Sequence, residues 1–255
     1  MKTLPLLLAG LSIASIARAD SFPASEKFSQ TYPVTAQAEL SLRNINGSVE
    51  IVAWDKNEIA LEAEKRTKNA EDLSKIQVQV DASSDRVAIT THYERVGWGW
   101  FGWFSRNVSG AVHYKLRVPA GINLRKVDVV NSNVTIRDVS GDVEATSVNG
   151  SIHASGLSNS AHLKTVNGNI EAGLVSMQAC KTLYTKTVNG SCKVFLPDAV
   201  SASVEASTVN GNVKCDFPVA ASKSSRSRLQ GQIGQGNDTS IEAHSVNGNI
   251  AFHRQ

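Results

Sequence analysis

Between residues 131 and 175, apolar and polar positions repeat with a period of nine residues in five consecutive blocks. The fourth and sixth positions of each block are apolar or small, and the ninth usually is, as at Val134, Ile136 and Val139. The fifth position is polar, as at Thr135. Because residues two apart in a strand face the same side, this alternation predicts a short strand in every block, with one buried face and one solvated face.

Such a block is too short to fold alone. It holds about five strand residues, spanning roughly 17 Å, and about four turn residues, so it must pair with copies above and below it. Two blocks make a coil that matches the 18-residue spacing from Asn149 to Asn167, and later intervals of 22, 21 and 37 residues between equivalent asparagines predict lengthened turns. The sequence therefore predicts an all-β, two-sheeted, β-helix-like solenoid over residues 120–255, with coils about 4.8 Å apart.

The tripeptide Val-Asn-Gly recurs at the corners between blocks. We expect its glycine to supply the positive φ of a sharp turn, and its stacked asparagine side chains to hydrogen-bond from coil to coil. Near-identical copies spread along an axis favour an architectural role over a repeated ligand site. The predicted turn ladder comprises Asn149, Gly150, Asn167, Gly168, Asn189, Gly190, Asn210, Gly211, Asn247 and Gly248.

Calcium binding is the main alternative role for these corners, because other nonapeptide solenoids bind calcium through turns rich in aspartate. Here Asp142 and Asp238 are isolated, and Ser or Asn stands where a carboxylate is required. The histidines have no His-x-His or His-x-x-x-His spacing, which a metal site on a strand or helix would favour. The sequence therefore predicts no metal site and no cofactor.

Residues 20–119 contain longer alternating strands, and the segment INGSVEI from Ile45 already has the corner motif. We expect these strands to continue the stack and cap its open end, so that one continuous domain begins near residue 33. Two longer runs, RVAITTHYERV and GAVHYKLRVPAG, are predicted to pair as an antiparallel hairpin on either side of an aromatic loop.

That loop, VGWGWFGWFS at residues 96–105, has no counterpart in the repeats. So much aromatic surface is costly in water, and something should cover it. Two alternatives remain open. The loop folds back as a plug on the solenoid, or it binds an envelope protein, a glycan or a membrane surface, a role for which Trp and Gly at a loop tip are suited. The candidate binding residues are Trp98, Trp100, Phe101, Trp103 and Phe104.

The sequence of residues 1–19 predicts a cleaved signal peptide, because it has Lys2, then an apolar run, then Ala-Arg-Ala before Asp20. We therefore expect a periplasmic or secreted protein whose mature chain begins at Asp20. The formal net charge of the chain is +3, and removal of Lys2 and Arg18 leaves about +1. Charge therefore gives no reason to expect nucleic acid as a partner.

The chain has three cysteines. Cys192 and Cys215 fall at core positions of their blocks, whereas Cys180 lies in an inserted turn. In an oxidising compartment, a disulfide between Cys180 and Cys192 is one alternative to free thiols.

Catalytic signatures are missing from the sequence, which has no Gly-x-Ser-x-Gly motif. We therefore predict a protein that is not an enzyme. Glu144, Glu205 and Glu242 recur at outward fifth positions, which leaves a carbohydrate-binding or carbohydrate-acting module as the alternative. A solvated β face explains the three glutamates more simply.

Four features taken together carry a family resemblance: NINGSVEIVAW, a run ending in LRVPAGINL, the VNGSI-type repeats, and the closing GQIGQGNDTSIEAHSVNGNI. Their combination resembles the bacterial family of β-strand-repeat proteins labelled putative adhesin, related to the head GIN domain group. The resemblance covers residues 33–253. It implies a non-catalytic, adhesin-like structural or binding protein of the cell envelope, and it carries over no catalytic residue and no assigned partner.

Overall fold

The computed structural model describes residues 23–98, 104–107, 109–235 and 239–255. The signal peptide predicted at residues 1–19 lies outside these ranges. In the N-terminal part, the elements are β1 (Ala24–Pro33), β2 (Glu39–Asn46), β3 (Val49–Trp54), β4 (Glu58–Thr67), a 3₁₀ helix (Ala70–Lys75), β5 (Ile76–Ala82), β6 (Arg86–Tyr93), β7 (Arg95–Trp98), β8 (Phe104–Asn107) and β9 (Gly110–Pro119).

All the regular elements in the rest of the described chain are strands, and most of them are short because each spans one block of the repeat. They are β10 (Asn123–Asn131), β11 (Val134–Arg137), β12 (Val143–Asn149), β13 (Ile152–Leu157), β14 (Ala161–Asn167), β15 (Ile170–Leu174), β16 (Thr182–Lys186), β17 (Cys192–Leu196), β18 (Ala202–Asn210), β19 (Val213–Cys215), β20 (Val219–Ser225), β21 (Arg228–Ile233), β22 (Ser240–Asn247) and β23 (Ile250–Arg254).

Two sheets face each other across the core, and every coil gives one strand to each. Sheet I has the order β1-β4-β9-β3-β11-β13-β15-β17-β23-β19, and sheet II has the order β20-β21-β18-β22-β16-β14-β12-β10-β2-β6-β5. Parallel neighbours keep equivalent residues in register, for example Ile152 with Ile170 and Asn149 with Asn167. The predicted all-β solenoid is therefore confirmed.

Antiparallel strands extend the stack at both ends. At one end β4 pairs with β9 and β1 with β4 in sheet I, while β5 pairs with β6 in sheet II. At the other end, β21 and β20 extend sheet II beyond β18. These added strands cover most of the open solenoid edge, which would otherwise template pairing with another chain.

The coils do not all stack in chain order. Strands β22 and β23, the last coil of the chain, lie between the β16/β17 coil and the β18/β19 coil. The prediction that the 37-residue interval before Asn247 is one lengthened turn is therefore wrong. It contains the β20–β21 hairpin and the return of the chain into the stack.

The predicted long hairpin is also wrong. Strand β6 pairs in parallel with β2 in sheet II, and β9 pairs in parallel with β3 in sheet I, so the two runs form the terminal coil of the stack. Antiparallel pairing is found instead between β7 and β8, in the segment between β6 and β9. The physical reason is that each run finds a parallel partner carrying the same buried pattern.

Burial follows the repeat at the fourth and sixth positions, except in the edge strand β19, where Val213 and Cys215 are only half-buried. The ninth position differs between the half-coils. Strand alternation continues through β12, so Val148 is 38% exposed. In the other half-coil, a left-handed residue interrupts the alternation, Asp138 with φ 60° in one coil and Gly156 with φ 69° in the next. Val139 and Leu157 are turned into the core as a result.

Among the described residues, no helix combines the length and hydrophobicity that crossing a membrane requires.

Candidate functional site

The corner asparagines form a continuous ladder along the stack. In each rung, the side-chain Nδ2 of one asparagine donates to the Oδ1 of the asparagine in the adjacent coil, at 2.7 to 2.9 Å. The ladder follows the spatial order of the coils and includes two asparagines upstream of the predicted set. Its members, in stack order, are Asn46, Asn131, Asn149, Asn167, Asn189, Asn247 and Asn210.

Close approach between coils requires the glycine that follows each asparagine. A Cβ on Gly150 would lie 1.9 Å from the carbonyl oxygen of Ser132, and one on Gly168 would lie 2.2 Å from the carbonyl oxygen of Gly150. Among the motif glycines, Gly47 has a positive φ of 119°, whereas none of the glycines in the predicted ladder does. The expectation that these glycines supply positive φ was therefore wrong, and lack of space for a side chain is the cause.

Two further rows of hydrogen bonds flank the asparagine ladder. Before the valine, a Ser or Thr hydroxyl donates to the carbonyl of the adjacent coil, as Thr165 Oγ1 does to Gly150 at 2.8 Å. After the glycine, a Ser or Asn side chain accepts a backbone N–H, as Ser151 Oγ does from Asn169 at 3.1 Å. The hydroxyl row also includes Ser147, Thr187, Ser245 and Thr208.

The valine of this five-residue motif has an apolar side chain that cannot hydrogen-bond between coils. It forms an exposed aliphatic row instead, which includes Ile45, Val130, Val148, Val166, Val246 and Val209. The other four positions are occupied by contacts between coils. These corners therefore serve the architecture of the stack, because their polar groups are already engaged with one another.

The corner of the terminal coil differs from all of these. Between β6 and β9, residues 94–109 take the place of Asn-Gly, and β7 and β8 within them form a two-stranded sheet of their own. The ladder ends where the chain returns, since Asn46 Nδ2 donates to the Gly110 carbonyl at 3.2 Å. The segment is thus tied to the stack at the base of β9.

His113 closes the row that follows the glycines. Its Nδ1 accepts the backbone N–H of Ser48 at 3.2 Å and lies 2.9 Å from the Ser48 hydroxyl. Burial lowers the pKa of His113 below its usual 6.5; Arg66 acts in the same direction and Glu64 opposes it. The neutral imidazole therefore takes the acceptor role that Asn or Ser plays in the repeated corners.

Two of the five predicted aromatic binding residues lie in the described part of the chain. Trp98 ends β7 and is the register partner of Phe104, which begins β8. Trp100, Phe101 and Trp103 lie outside the described residues. The backbone therefore places Trp98 and Phe104 opposite each other on the paired strands β7 and β8 at the terminal corner.

Of the two alternatives for Cys180 and Cys192, the structure has free thiols, and Cys215 is free as well. Cys192 is fully buried in β17, where its side chain is part of the core, and Cys180 is buried in the turn between β15 and β16. Burial raises the pKa of each of these two thiols to about 11. Neither is therefore a thiolate near neutral pH.

Ion pairs across adjacent strands cover much of the outer surface. On sheet I, Glu171 contacts Lys193 Nζ at 3.0 Å and His153 Nδ1 at 3.1 Å. Its hydrogen bond to Lys193 is the main reason that the pKa of Glu171 is lowered. Across residues 23–98, 104–107, 109–235 and 239–255, no three His, Cys, Asp or Glu side chains are grouped so as to hold a metal ion.

The three outward glutamates named from the sequence do not form one site. Glu205 and Glu242 are register partners on β18 and β22, and both line a groove of about 350 Å³ on sheet II. Glu144 lies on β12, three strands away from Glu242 in the sheet. The repeat pattern could not distinguish the pair from the third glutamate, because only the reordered stack brings β22 beside β18.

Comparison with protein families gives one match, to Toastrack DUF4097, over residues 120–252, just over half of the chain. None of the curated proteins matches significantly. The match begins after β9, so it covers the repeated corners and not the terminal coil.

Solved structures are similar to this chain at low sequence identity. A putative cell adhesion protein from Clostridium sporogenes aligns with a TM-score of 0.51 at 10% identity, over 91% of this chain and 100% of that one. A putative adhesin from Bacteroides fragilis has a TM-score of 0.38 at 12% identity, over 91% and 99%. A putative lipid binding protein from Parabacteroides distasonis has a TM-score of 0.31 at 9% identity, over 89% and 96%.

Proposed function

The chain belongs to the Toastrack DUF4097 family, and from that premise we propose that it is an exported, non-catalytic, adhesin-like binding protein of the bacterial envelope. Its β-solenoid is a rigid support, and the β7–β8 hairpin is the element that contacts the partner. The sequence resemblance to bacterial adhesins agrees with this family and with the solved adhesion proteins that share its fold.

One observation carries the proposal. At every repeated corner the polar groups bond to the adjacent coil, whereas at the terminal corner the chain leaves the stack and forms a separate two-stranded sheet. A loop held on a rigid scaffold is where binding residues are most often found. Trp98 and Phe104 lie in the strands of this hairpin, and the sequence between them carries Trp100, Phe101 and Trp103.

The composition of the hairpin suits an interface. Trp and Phe combine a large apolar area with a specific geometry, and Trp also carries a polar N–H group. Such residues are enriched where one side of a side chain is apolar and the other is wet, as at a membrane surface or on a glycan. An envelope protein is the third kind of partner that this chemistry would recognise.

Two further observations support the export and non-catalytic parts of the proposal. Residues 1–19 have the charge, apolar run and small residues of a signal peptide. The solved structure that shares the fold is that of a putative cell adhesion protein. Mass spectrometry of the mature protein should find Asp20 at its N-terminus.

Envelope binding tests the proposed role of the hairpin. A variant with Trp98→Ser, Trp100→Ser and Trp103→Ser should lose co-sedimentation with isolated envelopes by about tenfold or more, because aromatic anchors dominate binding energy. The control is Tyr184→Ser, which removes a half-exposed aromatic ring from the face of sheet II. Unchanged sedimentation of the triple variant would contradict the proposal. Loss of the fold would instead support the alternative in which the loop plugs the solenoid.

A further inference from the structure

The groove on sheet II is formed by four adjacent strands, β22, β18, β21 and β20, at the end of the stack opposite the β7–β8 hairpin. A register shift between Ala221 and Lys223 makes an irregularity in β20, and irregularities of this kind bend and twist an edge strand. Gly231 permits the close approach of β20, since a Cβ there would lie 2.5 Å from the Ala220 carbonyl oxygen. The resulting volume of about 350 Å³ falls in the range of small-ligand sites.

Two carboxylates lie side by side in this groove. Glu205 and Glu242 are direct partners on neighbouring parallel strands, an arrangement that destabilises a sheet when both are charged. No Lys or Arg side chain lines the groove. The nearest cationic candidate is His244, whose Nε2 lies 4.0 Å from Glu242 and whose Nδ1 is 2.9 Å from the Ser207 hydroxyl.

Elsewhere on the outer surface, opposite charges face each other on adjacent strands, as in the Arg137–Glu50 pair at 2.7 Å. Sheet II also has one basic like-charge pair, Lys164 and Lys186. There the long side chains can separate, and Lys164 Nζ lies 5.4 Å from the Tyr184 ring centroid. At the glutamate pair, the Ser240 hydroxyl donates to Glu242 Oε1 at 3.3 Å, but no cationic side chain lines the groove. A cationic group in the groove would therefore relieve the repulsion between the two carboxylates.

Carboxamide and hydroxyl groups surround the two carboxylates. Gln230 is the register partner of Glu205, and Gln232 is the partner of Ser203. Within the described residues, neither glutamine side chain makes a hydrogen bond to the protein, so both can serve a ligand. Ser222 and Ser240 add hydroxyl groups to the groove lining.

The lining excludes several kinds of ligand. Paired carboxylates disfavour an anion, and the predominance of polar groups disfavours an apolar molecule. A bare metal ion is also disfavoured, because the described residues include no group of three His, Cys, Asp or Glu side chains placed to hold one. A ligand that combines one protonated amine with several hydroxyl groups matches what remains.

We propose that this groove binds an amino sugar, with the ammonium group between Glu205 and Glu242 and the hydroxyl groups on Gln230 and Gln232. The site binds and does not hydrolyse. Glu205 is exposed and the Glu242 side chain is 39% exposed, whereas a general acid of a glycosidase is kept protonated by burial. This inference stands independently of the role proposed for the hairpin.

Three tetrasaccharides with the same β-1,4 backbone test the chemistry by calorimetric titration of the full mature chain at about pH 6, where the amine is protonated. They differ only at carbon 2: the glucosamine tetramer has an amine, the N-acetylglucosamine tetramer has an amide, and cellotetraose has a hydroxyl. We expect the glucosamine tetramer to bind about tenfold or more tightly than the other two. Equal affinity for all three, or no binding of any, would overturn the proposal.

Matched variants locate the binding. Glu205→Gln and Gln230→Ala should each weaken binding of the glucosamine tetramer, the first by about tenfold. Glu144→Gln, on the same face but outside the groove, should leave it unchanged, and so should the triple Trp variant. Spermine and calcium chloride are the competitors. If either displaces the glucosamine tetramer at the same concentration as the sugar itself, the groove is a general cation site and the amino sugar assignment is wrong.

Discussion

The repeated corners and the terminal corner both carry the chain from sheet II to sheet I, but their structures differ. At Asn149 and Asn167, a short turn bonds to the coils above and below it, whereas between β6 and β9 a segment of 16 residues, 94–109, leaves the stack and returns at Gly110. Repetition thus identifies the residues that hold the fold, and the corner that departs from the repeat is free to carry other chemistry.

The terminal corner still ends every row of coil-to-coil bonds. The Gly110 carbonyl accepts from Asn46, the Val112 carbonyl accepts from Asn44 at 2.9 Å, and His113 accepts from Ser48. Each acceptor comes from the first residues of β9. The insertion can therefore vary without leaving the polar groups of the adjacent corner unpaired.

Gly168→Ala should cause the largest loss of stability, because it adds a side chain at a repeated corner that has no space for one. The new Cβ would lie 2.2 Å from a backbone oxygen, so the coils must separate, at a cost of about 3 kcal/mol of unfolding free energy. Urea denaturation measures the change. The control is Gly173→Ala, whose Cβ would meet the flexible Gln255 side chain first, at 3.1 Å. Equal losses for both variants would show that close approach is not the constraint.

Asn167→Ala should have a moderate effect, about 1–2 kcal/mol of unfolding free energy, because it removes two rungs of the ladder. Asn167 donates to Asn149 at 2.7 Å and accepts from Asn189 at 2.8 Å. The neighbouring substitution Val166→Ala is the control, since that side chain is 40% exposed. If the two variants unfold at the same urea concentration, the ladder contributes nothing to stability.

His113→Gln tests the terminal corner and should have the smallest effect. Burial lowers the His113 pKa below 6.5, so the unfolded chain takes up a proton at a higher pH than the folded chain does. Stability therefore falls as pH drops from about 6.5 through the folded pKa. Gln keeps an acceptor but does not titrate. Melting temperatures at about pH 7.5 and about pH 5 should differ less in the variant than in the wild type; an equal difference would exclude His113 as the source.

The sequence was sufficient to predict strands, coil length and the stacking of asparagines, because these depend on local alternation and on the distance between identical turns. The order of the coils was not predictable. Neighbouring coils have nearly the same inward residues, such as Ile170, Cys192 and Ile250 in register, so a coil can pair with several others equally well. The position of β22 and β23 depends on where the β20–β21 hairpin returns the chain.

Local conformation explains the other departures. The left-handed conformation of Gly156 turns Leu157 into the core, whereas Val148 follows an uninterrupted strand and stays exposed. A count of apolar positions does not detect this difference. The groove could not be predicted from the sequence for the same reason as the coil order. Glu205 and Glu242 are 37 residues apart in the chain and are adjacent only in the stack. Adjacent glutamine and serine positions on β21 and β20 gave no periodic signal at all.

Thermal unfolding of the triple Trp variant beside Asn167→Ala tests the central claim most directly. The claim is that repeated corners hold the fold while the terminal hairpin serves binding. The triple variant should melt within about 2 °C of the wild type, and Asn167→Ala should melt lower by about 3 °C or more, as expected for a loss of about 1 kcal/mol in a domain of this size. A triple variant that melts well below Asn167→Ala would contradict the account and make the hairpin part of the structural core.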